Sequence, residues 1–320
     1  MKWLKKGLIF DPAQYKLPAG CNEFAQSPQT LVLDDVVRIY FSTRKKDPAT
    51  GKYLSHIAFA DFDKDLTHVV NVSAENVIEL GGLGAFDEHG IFPINILQHN
   101  NQIFAHTCGW SRRVSVSVET STGLAVSTDN GVTFNKMGTG PVLTSSLHEP
   151  CLVGDSFVQV YDGIFHMWYI FGQRWKEATS NEPPARVYKI AHAVSTDGIN
   201  WIKEEGKTII ADVLNEDECQ ALPTVTKIGD RYHMYFCFRE ATDFRINAAR
   251  GYRLGYAWSD DLKHWTRDDQ NSGISFSESG WDSTMMCYPH IFQVDGKVYL
   301  LYNGNEFGKH GFGLAQLQST

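Results

Sequence analysis

Apolar residues recur along the chain in short alternating or continuous runs of strand length, broken by turn residues. Five segments, "AQSPQTLVL", "HGIFPINIL", "LHEPCLV", "QALPTVTKI" and "CYPHIFQV", line up on Pro28, Pro93, Pro150, Pro223 and Pro289. Those prolines are spaced 65, 57, 73 and 66 residues apart. Proline suits the first residue of a strand, where its missing N–H is not needed by the ladder. An aromatic-rich second strand follows each segment: "VRIYFSTR", "QIFAHTCGW", "FHMWYIFGQRW", "YHMYFCFRE" and "VYLLYNGNEFG". The linking turns are Asp-Asp, Asn-Asn, Asp-Gly, Gly-Asp and Asp-Gly, as tight hairpins require. A third strand follows, and in three repeats a turn and a closing aromatic: "STDNGVTF", "STDGINW" and "SDDLKHW".

The pattern predicts five four-stranded antiparallel meanders of about 60 residues, an all-β chain arranged as a five-bladed β-propeller. The last repeat stops after three strands. The N-terminal "KWLKKGLIF" resembles an outer strand, so residues 2–10 are expected to complete the fifth blade and make residues 1–320 one domain. A β-sandwich is the competing architecture, but it does not require five cycles of one pattern.

Such a blade places the start of its first strand and the end of its second on one face, around the mouth of a central channel. That face collects Glu149, before Pro150, as the leading candidate for a proton donor, because a half-buried carboxylate there has its pKa raised. The competing role for Glu149 is to accept hydrogen bonds that hold a neighbouring blade. Asp87 and Asp282, in the similar loops "GAFDEHGIFP" and "GWDSTMMCYP", and Glu88 beside Asp87, are candidates for a second carboxylate. Arg44, Arg174 and Arg239 end second strands and favour an anionic ligand, since guanidinium forks match phosphate and carboxylate. Trp110 and Tyr288 offer rings to a sugar face; Glu88, His148, His290 and Asn305 add polar contacts. Cys151 reads as a small buried hydrophobe.

Charge and composition narrow the partners. With 29 basic and 37 acidic residues the net charge is −8, which disfavours duplex nucleic acid. No run reaches the roughly 18 apolar residues of a membrane span, and "MKWLKKGLIFDP" lacks a signal-peptide core, so a cytoplasmic protein is expected. Six scattered cysteines without a C-x-x-C pair read as reduced thiols. No metal cluster, phosphate loop or nucleotide fingerprint is visible, and no cofactor is expected. The partner expected is a small saccharide or sugar phosphate; oligomeric state is left open.

The five-blade pattern, the S-x-D-G-x-x-W turn at 195–201 (loosely repeated at 259–265) and "YPHIFQVDGKVYLLYNG" resemble the five-bladed propeller glycoside hydrolases of families 43, 32, 68 and 130. The resemblance implies a carbohydrate-active enzyme and matches His290 to a channel histidine. It also implies, from family 43, a catalytic aspartate just before the proline of the first blade. Here Ser27 stands in that place, and Gln220 and Ala221 stand where a later carboxylate would be wanted. Family 130 resembles a one-carboxylate design in which phosphate attacks and basic residues hold it. The expectation is cleavage or transfer of a glycosidic bond in an anionic or phosphorylated saccharide. The alternatives are a sugar-binding propeller without catalysis and a saccharide-biosynthesis enzyme with other chemistry.

Overall fold

In the computed structural model, which describes residues 1–178 and 182–318, the chain is almost entirely strand and turn. It begins with β1 (Trp3–Phe10). The first antiparallel meander is β2 (Glu23–Val32), β3 (Val37–Lys46), β4 (Tyr53–Phe62) and β5 (Val69–Val72). The second is β6 (Gly90–His99), β7 (Gln102–Arg112), β8 (Val118–Ser127) and β9 (Asn135–Lys136). The third is β10 (Cys151–Tyr161), β11 (Ile164–Lys176), β12 (Ala185–Ser195) and β13 (Ile202–Lys203). The fourth is β14 (Cys219–Ile228), β15 (Arg231–Arg239), β16 (Arg253–Ser259) and β17 (Thr266–Arg267). The last is β18 (Cys287–Val294), β19 (Lys297–Asn303) and β20 (Phe312–Leu317), and β20 pairs antiparallel with β1. A single parallel bridge, Ser55 to Gly90, joins the first two meanders.

The first strands of the meanders touch in sequence: β2 with β6, β6 with β10, β10 with β14, β14 with β18, and β18 with β2. Side chains fasten several of these contacts. Asn95 accepts from the Val158 N–H at 2.9 Å, and Thr224 Oγ1 from the Ile291 N–H at 3.1 Å. The second strands are buried on both faces, which explains their near-continuous apolar runs. Hairpins turn through paired left-handed residues, Asn100–Asn101, Asp162–Gly163 and Asp295–Gly296, the conformation that matches strand twist. Trp3 anchors β1 by donating its indole N–H to Tyr235 Oη at 2.8 Å and to the Ser272 carbonyl at 3.1 Å.

One feature of the repeat lies differently from its sequence alignment. Each first strand carries a bulge, where two residues leave the ladder: between Gln26 and Gln29, Ile91 and Ile94, Gly154 and Phe157, Ala221 and Thr224, and Cys287 and His290. The displaced pairs are Ser27–Pro28, Phe92–Pro93, Asp155–Ser156, Leu222–Pro223 and Tyr288–Pro289. The third member of the series is therefore Ser156, not Pro150. With it, the spacings become 65, 63, 67 and 66 residues. The residue ahead of the proline or serine is left-handed in four of the five, with φ of 53° at Ser27, 49° at Asp155, 49° at Leu222 and 55° at Tyr288.

Candidate functional site

Displaced residues of three of the five bulges line a cavity of about 670 Å³ on the side where second strands end. That volume suits a small ligand such as a disaccharide or a sugar phosphate. Phe92, Asp155 and Tyr288, three of the five bulge residues, face it. Bulges turn side chains out of the sheet, and a left-handed non-glycine residue persists only where the surroundings enforce it. Beside Asp155 the packing is tight: a Cβ on Gly154 would lie 2.3 Å from Cys108 Sγ, so a larger residue there would force Cys108 or the strand to shift.

Asp155 is 8% exposed and is one of two carboxylates lining the cavity. Burial pushes its pKa up to about 7, against the opposing pull of Arg186 and of the Leu222 N–H. The other carboxylate, Glu306, is at the rim, 3.2 Å from His310 Nε2 and 3.7 Å from Lys309 Nζ. The basic groups are Arg44, Arg186, Arg239, Arg245 and Lys309. Among the described residues no carboxylate oxygen lies within 4.0 Å of any of the four arginines. Rings hold them instead. Arg239 packs over Phe244 at 3.5 Å and donates its hydrogen bonds to neutral oxygens: Tyr188 Oη at 2.8 Å and the Glu240 carbonyl at 2.6 Å. Arg44 lies over Phe24 and Phe92, at 5.2 and 5.7 Å from their centroids. Tyr188 and Tyr252 share a hydrogen bond of 2.5 Å between their hydroxyls.

The residues singled out from sequence divide into those on this cavity and those elsewhere. Arg44, Arg239, Trp110 and Tyr288 line it. Glu149 does not: it is fully buried, accepts from Tyr169 Oη at 2.7 Å and from the Gly206 N–H at 3.3 Å, and is paired with Lys203. Asp87 pairs with Lys136 at 2.5 Å, and Asp282 with Lys5 at 2.7 Å while accepting from Tyr302 Oη at 3.0 Å. Glu218 completes a series, paired with Arg267 at 2.5 Å. In all four the acid precedes a first strand and the cation sits on the outermost strand of the same meander: β9, β13, β17 and β1. In these four of the five meanders the acid clasps the inner edge to the outer edge. The geometry agrees with the second role weighed for Glu149, holding structure together.

Arg174 is 42% exposed and bound to Asp217 at 2.7 Å, outside the cavity. Glu88 accepts from the Gly84 N–H at 3.1 Å, and exposed His148 donates its backbone N–H to Glu205; neither lines the cavity. Asn305 Oδ1 accepts from the Thr284 and Met285 N–H groups and shapes the preceding loop. His290 fastens β18 to β2: Nε2 accepts from the Thr30 N–H at 3.2 Å, and burial pushes its pKa down to about 3. The sequence reading missed Asp155, Arg186, Arg245 and Tyr188. The uneven spacings of 57 and 73 were the available signal, because moving one anchor from Pro150 to Ser156 evens them and brings Asp155 into the series.

No protein-family model matches the chain. An uncharacterized protein of Mycobacterium tuberculosis (strain H37Rv) is 29% identical over the full length of both chains. The β-1,2-mannobiose phosphorylase of Thermoanaerobacter sp. (strain X514) is 32% identical over 148 residues, 45% of this chain and 44% of the phosphorylase. Among solved structures, a glycoside hydrolase matches with a TM-score of 0.74 at 16% identity, covering 99% of this chain and 92% of its own. The β-1,2-mannobiose phosphorylase from Listeria innocua, in complex with β-1,2-mannobiose, matches with a TM-score of 0.68 at 12% identity, over 98% and 96%. Family 43, 130 and 32 enzymes share the same architecture. The fold is thus that of the propeller glycoside hydrolases and phosphorylases, with no single family matched.

Proposed function

We propose that this chain is a carbohydrate-active enzyme that cleaves or transfers a glycosidic bond in an anionic or phosphorylated saccharide bound in the arginine-lined cavity. The observation that carries the reading is Asp155, a buried acid whose pKa is raised to about 7, beside four arginines that have no carboxylate partner among the described residues. A protonated carboxyl in such a place can give its proton to the leaving oxygen as the glycosidic bond breaks. The arginines would hold the anionic group and fix the sugar against Asp155. Trp110, Tyr288 and Phe92 offer ring faces to the saccharide.

Inverting hydrolysis needs a second carboxyl about 6.5–9.5 Å from the first to activate water. The clasp acids Asp87, Glu149 and Asp282 are engaged elsewhere, and Glu306 is tied to basic partners at the rim. A single acid beside a cluster of cations suits transfer to an attacking group that brings its own negative charge, as phosphate does. The full-length likeness to a mannobiose phosphorylase fold and the partial sequence match to another support this direction.

In this reading the five meanders are the blades of one β-propeller domain spanning residues 1–320, closed by β1 beside β20. The described residues contain no helix long and apolar enough to cross a membrane. Six free thiols favour a reducing compartment, and we assign the protein to the cytoplasm.

The test is turnover of glycosides and glycosyl phosphates, with and without inorganic phosphate, by the wild type and Asp155→Asn. The variant keeps the shape and removes the acidic proton, so turnover should fall by roughly 10²–10⁴ with ligand affinity little changed. Wild-type activity should fade as pH rises past about 7, where Asp155 loses its proton. Full activity in Asp155→Asn ends the assignment of Asp155.

A further inference from the structure

The four arginines are more than one phosphate needs. Arg44 ends β3, Arg186 opens β12, Arg239 ends β15, and Arg245 lies in the loop that follows β15. They reach one cavity from three meanders. Two of them keep a buried guanidinium N–H without a partner, Nε of Arg44 and Nε of Arg239. Burial lowers the pKa of Arg44, and repulsion from Arg186 and Arg245 lowers it further. Arg245 is lowered by burial and then by Arg239 and Arg186. The four therefore form one electrostatic group, with Arg186 felt by Arg44, Arg245 and Asp155.

Such a group is costly to assemble. Arg239 is buried, Arg44 and Arg186 are half-buried and Arg245 is exposed; a buried cation without a counter-ion loses hydration that ring contacts only partly replace. Asp155, with its pKa raised by burial to about 7, carries at most part of a negative charge at neutral pH, and Glu306 is bound to Lys309 and His310. A single phosphate dianion would leave about half of the guanidinium charge uncompensated. The arginines also come from different meanders and have different partners: Arg44 lies over Phe24 and Phe92, whereas Arg239 lies over Phe244 and donates to the Tyr188 hydroxyl.

Resting on the reading of this cavity as a phosphorylated-saccharide site, we propose that it holds two phosphoryl groups at once, one toward Arg44 and one toward Arg239 and Arg245, with Arg186 between them. The pair could be joined, as in a diphosphate-linked saccharide, or separate, as in a sugar phosphate beside inorganic phosphate. Both sources present the same chemistry to the arginines.

Calorimetric titration at fixed ionic strength separates the outcomes. The full chain is titrated with inorganic phosphate, pyrophosphate, a glycosyl 1-phosphate and a nucleoside diphosphate sugar. The expected result is two phosphates or one pyrophosphate per chain, with pyrophosphate at least roughly tenfold tighter than phosphate. Preference for the diphosphate sugar over the glycosyl phosphate identifies the joined source. Tighter binding of the glycosyl phosphate when inorganic phosphate is present identifies the separate one. Arg44→Lys, which keeps the charge but not the fork, and Arg44→Ala should each reduce the pyrophosphate advantage, whereas Arg174→Ala should leave every isotherm unchanged. One phosphate per chain with pyrophosphate no tighter overturns the two-group site while leaving the proposed function standing. No saturable binding of any anion overturns both.

Discussion

The molecule treats buried charge in two opposite ways. In the clasps, Asp87, Glu149, Glu218 and Asp282 each meet a lysine or arginine across their own meander. In the cavity, buried Arg239, half-buried Arg44 and Arg186 and exposed Arg245 meet rings, hydroxyls and carbonyls but, among the described residues, no carboxylate, and burial raises the pKa of Asp155 to about 7. Paired buried ions stabilise little beyond what a well-packed apolar pair would, but removing one partner is costly. Unpaired ones reduce stability and keep their binding capacity for something else. A buried acid in contact with a cation is a fastener; Asp155, which feels Arg186 but has no cation within 4.0 Å among the described residues, is a proton store. The difference lies in the partner, not in the residue type.

The largest effect expected on that contrast comes from deleting residues 1–10. The deletion removes Trp3 and the Lys5 partner of Asp282, exposes the β20 edge and leaves a buried carboxylate alone. Thermal melting should lose its sharp transition or move down by many degrees. A truncated chain that melts within about a degree of the full one would show that β1 neither closes the sheet nor supports the clasp.

Next in size is Glu149→Gln. It leaves Lys203 charged and mostly buried, so denaturant titration should show a loss of about 3–5 kcal/mol. Turnover per folded molecule should stay at the wild-type level. Unchanged stability with lost turnover would move Glu149 from fastener to catalyst and break the comparison.

The smallest effect is a pH dependence. Asp155 has a folded pKa of about 7, above the roughly 3.9 of an unfolded aspartate. Between those values the folded chain holds a proton that the unfolded chain has released. Stability from this group is therefore full below about pH 4, declines as pH rises, and is lost above about pH 7. Asp155→Asn lacks the decline, so its melting point should gain on the wild type steadily from pH 4 to 8, by a stability difference on the order of a few kcal/mol. Parallel curves over that range would mean that Asp155 is ionised in the folded chain, and would remove the proton store.

Much of the architecture was open to reading along the chain, because strands and hairpins are specified by neighbours. Alternation, aromatic runs and turn pairs such as Asn100–Asn101 and Asp162–Gly163 act within a few residues. Four of the cavity residues, Arg44, Arg239, Trp110 and Tyr288, followed from their place at strand ends. Arg174 shares that place but turns to Asp217, 43 residues away. Position at a strand end says which face a residue is on, not which neighbour takes its charge.

The acids show where sequence stops. Glu149 precedes a proline and an apolar run, as a rim residue would, and Asp155 reads as an interior strand residue six positions later. Their roles are set by a bulge that ejects Asp155 from the ladder and by a lysine 54 residues from Glu149. Local pattern alone determined the strands, the turns and the face on which chemistry would gather. Tertiary structure alone decided which carboxylate would be paired with a cation and which would face the cavity with a raised pKa, because desolvation and Coulomb partners belong to the assembled fold and not to any stretch of chain.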